Sequence, residues 1–263
     1  KRNYRCLECV EFLNYVVEMF NKKGWSLDAS VGYAQKNNLF STDEMVCTKT
    51  LYNYVDLGIL PIKNIDLPEK LKRNTKSSST RKNRKILGKS IEERPETVNL
   101  REEFGHWEID SVLGKKKDTE PAIMTIVERK TRMSLWIKIK DHSSMAIDEA
   151  LQSLINRFGT KKSEVFKSIT GDNGSEFANL SNIENNGISV YFTHPYTSCE
   201  KGTNECHNKM LRRFIPKGKS IDDYSAEDIL FFSDTINGLP RKILNYHTPE
   251  EMFDNQLDRI YAT

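Results

Sequence analysis

His106-Trp107-Glu108-Ile109-Asp110-Ser111-Val112-Leu113 reads as a strand, and it carries an acid where its neighbours call for an apolar side chain. A carboxylate bracketed by Trp107, Ile109, Val112 and Leu113 is costly to bury unless it is paired or bound to metal. Two more acids stand in distinctive contexts: Asp172 in Thr170-Gly171-Asp172-Asn173-Gly174, and Glu205 in Gly202-Thr203-Asn204-Glu205. Taken alone, Asp172 reads as a turn residue and Glu205 as a negative charge favoured at a helix N-terminus. Taken together, three acids from three separate elements suit magnesium, a hard cation that takes few protein oxygens and keeps positions for water and substrate phosphate. Two such ions activate an attacking oxygen and stabilise a leaving one.

The flanking periodicity builds a sheet around these acids. Pro121 to Glu128 and Met133 to Ile139 are strand-like, separated by the turn-prone Arg129-Lys130-Thr131-Arg132. Ile147, Ala150, Leu151, Leu154, Ile155 and Phe158 then recur at helical spacing, with Gly159 as a stop. Val165 to Thr170 reads as the strand that delivers Asp172, Ile188 to Phe192 as a fifth strand, and the segment opened by Glu205 as a helix ending near Pro216 and Gly218. Three strands, a helix, two strands and a helix is the order of the ribonuclease H-like fold. The expected class is therefore α/β, a mixed five-stranded sheet with helices, preceded by a small helical region.

Several motifs in this order resemble one family. His106-Trp107-Glu108-Ile109-Asp110, Val127-Glu128-Arg129-Lys130-Thr131-Arg132, Asp172-Asn173-Gly174-Ser175-Glu176-Phe177, His194-Pro195-Tyr196 and Gly202-Thr203-Asn204-Glu205 are similar to the catalytic-domain motifs of the insertion-sequence-thirty family of bacterial DDE transposases. So are Phe214-Ile215-Pro216-Lys217-Gly218 and Leu239-Pro240-Arg241-Lys242, and the 33 residues from Asp172 to Glu205 match the family's spacing. The resemblance runs from about Gly88 to the C-terminus. It implies an enzyme that binds the terminal inverted repeats of its own element and cuts and joins DNA. In that reading Asp110, Asp172 and Glu205 hold two magnesium ions, with manganese as a substitute, and the protein works as a homo-oligomer on double-stranded DNA. The chain departs from the family at Cys199, at Cys206 directly after Glu205, and at Lys209, which replaces a commonly small residue.

Helical spacing puts Glu205, Asn208, Lys209 and Arg212 on one side, so the last three are candidates to hold the scissile phosphates. His207, Met210, Leu211 and Phe214 share a core face.

The overall charge of +3 conceals a split: residues 1–100 carry +6 and residues 101–263 carry −3. From Lys70 to Lys89 there are nine basic residues and no acid, a segment suited to track a phosphate backbone, with Lys72, Arg73, Arg81, Lys82, Arg84 and Lys85 as candidate contacts. Upstream, Leu7 to Phe20 reads as one helix and Leu27 to Asn37 as another. A third, Lys49 to Leu57, is capped by Thr48 and closed by Gly58. Lys49, Thr50 and Asn53 would face outward near its N-terminus, where a recognition helix meets base edges in a helix-turn-helix arrangement. The expected division is a helical DNA-binding region at 1–66, a basic linker at 67–100, a catalytic domain at 101–233 and a C-terminal helical extension at 234–263. That extension starts from the capping box Thr248-Pro249-Glu250-Glu251. Family members carry a further N-terminal helix-turn-helix, so a segment ahead of Lys1 is expected.

No apolar run reaches membrane-spanning length. The five cysteines form no zinc pattern, Cys6-x-x-Cys9 lacking a second pair, and a reduced bacterial cytoplasm is the simplest setting. Two other functions compete: a ribonuclease H-like nuclease or integrase of another family, opposed by the combined motifs, and a catalytically silent DNA-binding protein derived from a transposase, opposed by the intact acids.

Overall fold

Ser26, Cys47 and Gly24 set the punctuation of the first three helices. The structure is a computed structural model that describes residues 5–68, 87–115, 120–194 and 202–262. Its chain forms two compact units, Lys1–Arg81 with Leu239–Thr248, and Lys82–Gly238 with Pro249–Thr263.

In the first unit, α1 (Val10–Lys23), α2 (Leu27–Lys36) and α3 (Thr48–Asp56) bury Phe12, Val16, Leu27, Val31, Leu51 and Tyr54 in one core. The Ser26 hydroxyl accepts from the Ala29 amide at 3.1 Å to cap α2. At α3 the N-cap is Cys47, one residue ahead of the expected Thr48. Thr48 lies in the first turn because its hydroxyl is drawn to Asp28 Oδ1, at 3.2 Å on the neighbouring helix. Helix α1 likewise starts at Val10, three residues later than its apolar pattern suggests, Leu7 lying exposed in a preceding 3₁₀ turn. The segment 239–248 belongs to this unit. Its Tyr246 ring lies over Gly32 of α2 so closely that a Cβ there would sit 2.1 Å from the ring, and its hydroxyl donates to Asp28 Oδ2 at 3.3 Å.

The second unit opens at residues 87–100, which line the sheet instead of hanging free. Leu87 N donates to Asn173 Oδ1 at 3.1 Å, Phe192 N to the Lys89 carbonyl at 2.8 Å, and a 3₁₀ turn (Ile91–Glu93) leads to α4 (Glu96–Leu100). The sheet follows as β1 (His106–Leu113), β2 (Ala122–Glu128) and β3 (Ser134–Ile139), then α5 (Ser144–Asn156), the short α6 (Lys162–Val165), β4 (Ser168–Gly171) and β5 (Ser189–Phe192). The helices α7 (Gly202–Phe214), α8 (Ala226–Asn237) and α9 (Pro249–Tyr261) complete the unit.

The strand order is β3-β2-β1-β4-β5, with β1, β2 and β3 antiparallel and β4 and β5 parallel to β1. This is the ribonuclease H-like sheet. Pleating sends alternate residues to opposite faces. Trp107 and Ile109 of β1 join Ile147, Leu151 and Ile155 of α5 in one core layer, whereas Glu108 and Asp110 contact α7 on the other. The strand before Asp172 begins at Ser168, later than its apolar run suggests. Val165 and Phe166 are claimed by Trp107, whose indole donates to the Val165 carbonyl at 2.8 Å and stacks on the Phe166 ring at 4.8 Å. Gly171 ends β4 against Leu180, whose Cδ2 would be 2.8 Å from a Cβ, so a larger residue there would force the Leu180 side chain to shift.

Candidate active site

The parallel register pairs Glu108 of β1 with Thr170 of β4. Two residues further along each segment come Asp110, still on β1, and Asp172, directly after the end of β4. Each is held locally. Asp172 Oδ1 accepts from the Gly174 amide at 2.9 Å, so the turn geometry read from Asp-Asn-Gly and a role for the acid coexist in one residue. Asp110 Oδ1 accepts from the Ser111 amide at 3.0 Å, and its Oδ2 from the Asn208 side-chain amide at 2.7 Å.

Helix α7 runs alongside β1 and is fastened at successive turns. Arg132 donates to the Thr203 hydroxyl at 3.1 Å, Asn204 N to Glu108 Oε2 at 3.2 Å, and Arg212 to the Leu113 carbonyl at 2.7 Å. His207 is buried, its ring nitrogens 2.8 Å and 3.2 Å from the carbonyl oxygens of Thr203 and Arg132. The carboxylate of Glu205 is half-exposed and ion-paired with Lys209 at 3.1 Å. Among the described residues no three acids, histidines or cysteines form a metal-holding group. Asp110 and Asp172 both lie within electrostatic reach of His142, while the Glu205 side chain is turned outward. Its backbone lies three residues from Asn208, the residue that touches Asp110, which is one helical turn or roughly 4.5 Å of rise.

The other sequence candidates are placed as follows. Asn208 orients Asp110 and its carbonyl oxygen accepts from the Thr125 hydroxyl at 3.2 Å; Arg212 caps the end of β1; Lys209 is exposed. In the first unit Lys49 and Asn53 are exposed on α3, and the Thr50 hydroxyl lies 3.3 Å from Cys47 Sγ. Lys72, Arg73, Arg81, Lys82, Arg84, Lys85 and Cys199 lie outside the described residues.

A cluster beside the two aspartates has little signature in the sequence. Ser111 Oγ lies 2.8 Å from His142 Nε2 and 3.3 Å from Glu176 Oε1, and His142 and Glu176 are 3.3 Å apart. The Glu176 hydrogen bond raises the His142 pKa against the opposing effect of burial, and the negative charges of Glu176, Asp172 and Asp110 add to the rise. Burial pushes the Glu176 carboxyl up, yet its hydrogen bonds to His142, its own amide and Ser111 together hold it below the usual range. The only sequence signal was the Glu in Asp-Asn-Gly-Ser-Glu-Phe; His142 lies in a loop with no periodic pattern. An imidazole that feels both aspartates marks a negative, oxygen-rich locus, and that donor chemistry fits a hard divalent cation.

The sheet is ribonuclease H-like, with Asp110 on β1, Asp172 directly after β4 and Glu205 on α7. Residues 101–198 match the integrase core domain family. The chain is 44% identical over 79% of its length to a probable transposase for insertion-like sequence element IS1161 of Streptococcus salivarius. It is 32% identical over 64% to the transposase InsI for insertion sequence element IS30A of Escherichia coli, and 38% identical over 62% to the transposase for IS4351 of Bacteroides fragilis. The chain is thus similar to transposases of bacterial insertion sequence elements. It spans 58%, 43% and 48% of the length of those three relatives, about half.

Proposed function

We propose that the chain is a DDE transposase that binds the terminal inverted repeats of an insertion sequence and catalyses DNA strand cleavage and strand transfer. The observation that supports this reading is that Asp110, on β1, and Asp172, directly after the paired strand β4, both lie within electrostatic reach of His142, while Glu205 stands on α7, whose Asn208 touches Asp110. Magnesium, as two ions replaceable by manganese, is the proposed cofactor. When bound it supplies an activated attacking oxygen and stabilises the leaving one. The chain's own residues prepare the geometry: Asn208 fixes the Asp110 carboxylate while lone pairs remain on both its oxygens, and the ties at Thr203, Asn204 and Arg212 fix the track of α7. In this reading Glu205 exchanges Lys209 for the site when cation and DNA arrive.

Lys49, Thr50 and Asn53 are proposed to read the repeat, and the basic segment through Lys72, Arg73, Arg81, Lys82, Arg84 and Lys85 to grip phosphates. The partners are element ends and target DNA, in a homo-oligomer, in the bacterial cytoplasm. No helix among the described residues is long and apolar enough to cross a membrane.

The test pairs the parent with Glu205→Gln on duplexes carrying the element's ends, in magnesium. Cleavage should fall by tens- to thousands-fold, the order expected for loss of one charge-stabilising group, while specific binding persists. Cleavage that survives the substitution removes Glu205 from the site. A parent that binds the ends specifically yet never cuts them favours the silent DNA-binding protein.

A further inference from the structure

A cavity of about 470 Å³ opens on the second unit, lined by Arg94, Arg101 and Arg129 together with Asn99, Glu92 and His194. Two of the arginines are buried and aimed by fixed partners. Arg94 donates to the Thr170 hydroxyl at 3.0 Å and to Asn99, and Arg129 donates to the Val98 carbonyl at 3.2 Å and pairs with Glu108. Glu108 behind the wall is paired with Arg129, and the largely exposed Glu92 lies 3.4 Å from His194. Arg101, at the left-handed C-cap of α4 with φ +61°, makes no ion pair among the described residues and brings its positive charge to the wall. Burial depresses the Arg129 and Arg132 pKa values, and the like charge of Arg101 depresses both further. An anion in the cavity relieves that repulsion.

The position of the cavity selects the anion. Its anchors, Glu108 and Thr170, are paired residues of β1 and β4, and two residues further along the two segments come Asp110 and Asp172. Two residues span about 6.6 Å along a strand, close to the axial rise of two nucleotides in one DNA strand, about 3.4 Å each. Guanidinium forks held rigidly match the paired oxygens of a phosphodiester. We propose that this pocket seats a DNA backbone phosphate one or two nucleotides from the bond positioned at Asp110 and Asp172, and so sets which linkage is presented for cutting. The inference rests on the proposed transposase reading.

The test uses the full chain and a fluorescein-labelled duplex of arbitrary sequence, titrated in chelator over a range of salt. Arg101→Gln should bind several-fold more weakly and its plot of log affinity against log salt should be shallower by about 0.9, the value for one phosphate no longer neutralised. Arg101→Lys, which keeps the charge, should restore the slope. Because Arg101 is partly exposed, neither change threatens the fold. A parent slope retained by Arg101→Gln overturns the pocket, whether or not the parent cleaves DNA. A reduced slope in a protein whose parent never cleaves element ends in magnesium leaves the pocket standing and overturns the catalytic reading alone.

Discussion

His142 illustrates how one residue reports the charge around it. Hydrogen bonding to Glu176 and the nearby Asp172 and Asp110 charges raise its pKa above the ordinary 6.5. A histidine whose folded pKa is raised binds its proton more tightly in the native state. Its contribution to stability is therefore fully present below about pH 6.5 and is lost as pH rises through the higher folded value. In chelator, urea midpoints of the parent should decline across that alkaline limb, and His142→Gln should flatten the decline. Superimposable pH curves for the two proteins would exclude His142 as the titrating group. The same scale explains why Asp172 served two readings at once, since one carboxylate oxygen closes the turn with Gly174 and a carboxylate has several lone-pair positions to offer.

Helix α7 shows how an element is positioned by groups that are not on it. Glu128 Oε2 accepts from the Lys130 amide at 2.9 Å, the Thr131 amide at 2.6 Å and the Thr131 hydroxyl at 2.8 Å, and Oε1 from the Gly105 amide at 3.1 Å. This organises the β2–β3 turn so that Arg129 reaches Glu108 and Arg132 reaches Thr203. Burial pushes the Arg132 pKa down to about 10, which still leaves it charged at neutral pH. Glu108 links the two elements, accepting from Arg129 with one oxygen and from the Asn204 amide with the other. Glu108→Gln strands a buried guanidinium, and breaking such a pair costs about 3–5 kcal/mol. Chemical denaturation should show that loss, and Glu108→Gln combined with Arg129→Met should recover part of it. A single variant as stable as the parent would mean that α7 is held by its apolar contacts alone.

At the scale of the whole molecule, charge is divided along the chain. The first hundred residues carry +6 and the remainder −3, so a proposed DNA grip lies upstream of an acid-rich catalytic unit. Replacing Arg81, Lys82, Arg84 and Lys85 together by Gln should weaken binding to all duplexes about equally and flatten the salt dependence by up to about 0.9 for each phosphate left without its cation. Asn53→Ala should instead change the preference between sequences, by about 1–3 kcal/mol if it reads a base edge. An unchanged salt slope after the fourfold change would reduce the segment to a tether. These arms differ from the Arg101 experiment because they remove charge from the basic segment and leave Arg101 in place.

The sequence by itself determined the order of the five strands and of α1, α2, α3, α5, α7 and α9, though not α4, α6 or α8, because period-2 and period-3.6 apolar patterns are local consequences of side-chain geometry. It also singled out Asp110, an acid inside an apolar strand, and the resemblance to insertion-sequence transposases. Its helix and strand starts failed where a tertiary partner outbid the local signal, as at Thr48, drawn to Asp28, and at Val165 and Phe166, drawn to Trp107. Only the tertiary structure decided that residues 87–100 line the sheet, since their hydrogen bonds go to Asn173 and Phe192, far along the chain. Only it joined Ser111, His142 and Glu176, and gathered Arg94, Arg101 and Arg129 around one cavity. Such groups are made by strand register and by chain crossings between residues tens of positions apart, and no local periodicity encodes those distances.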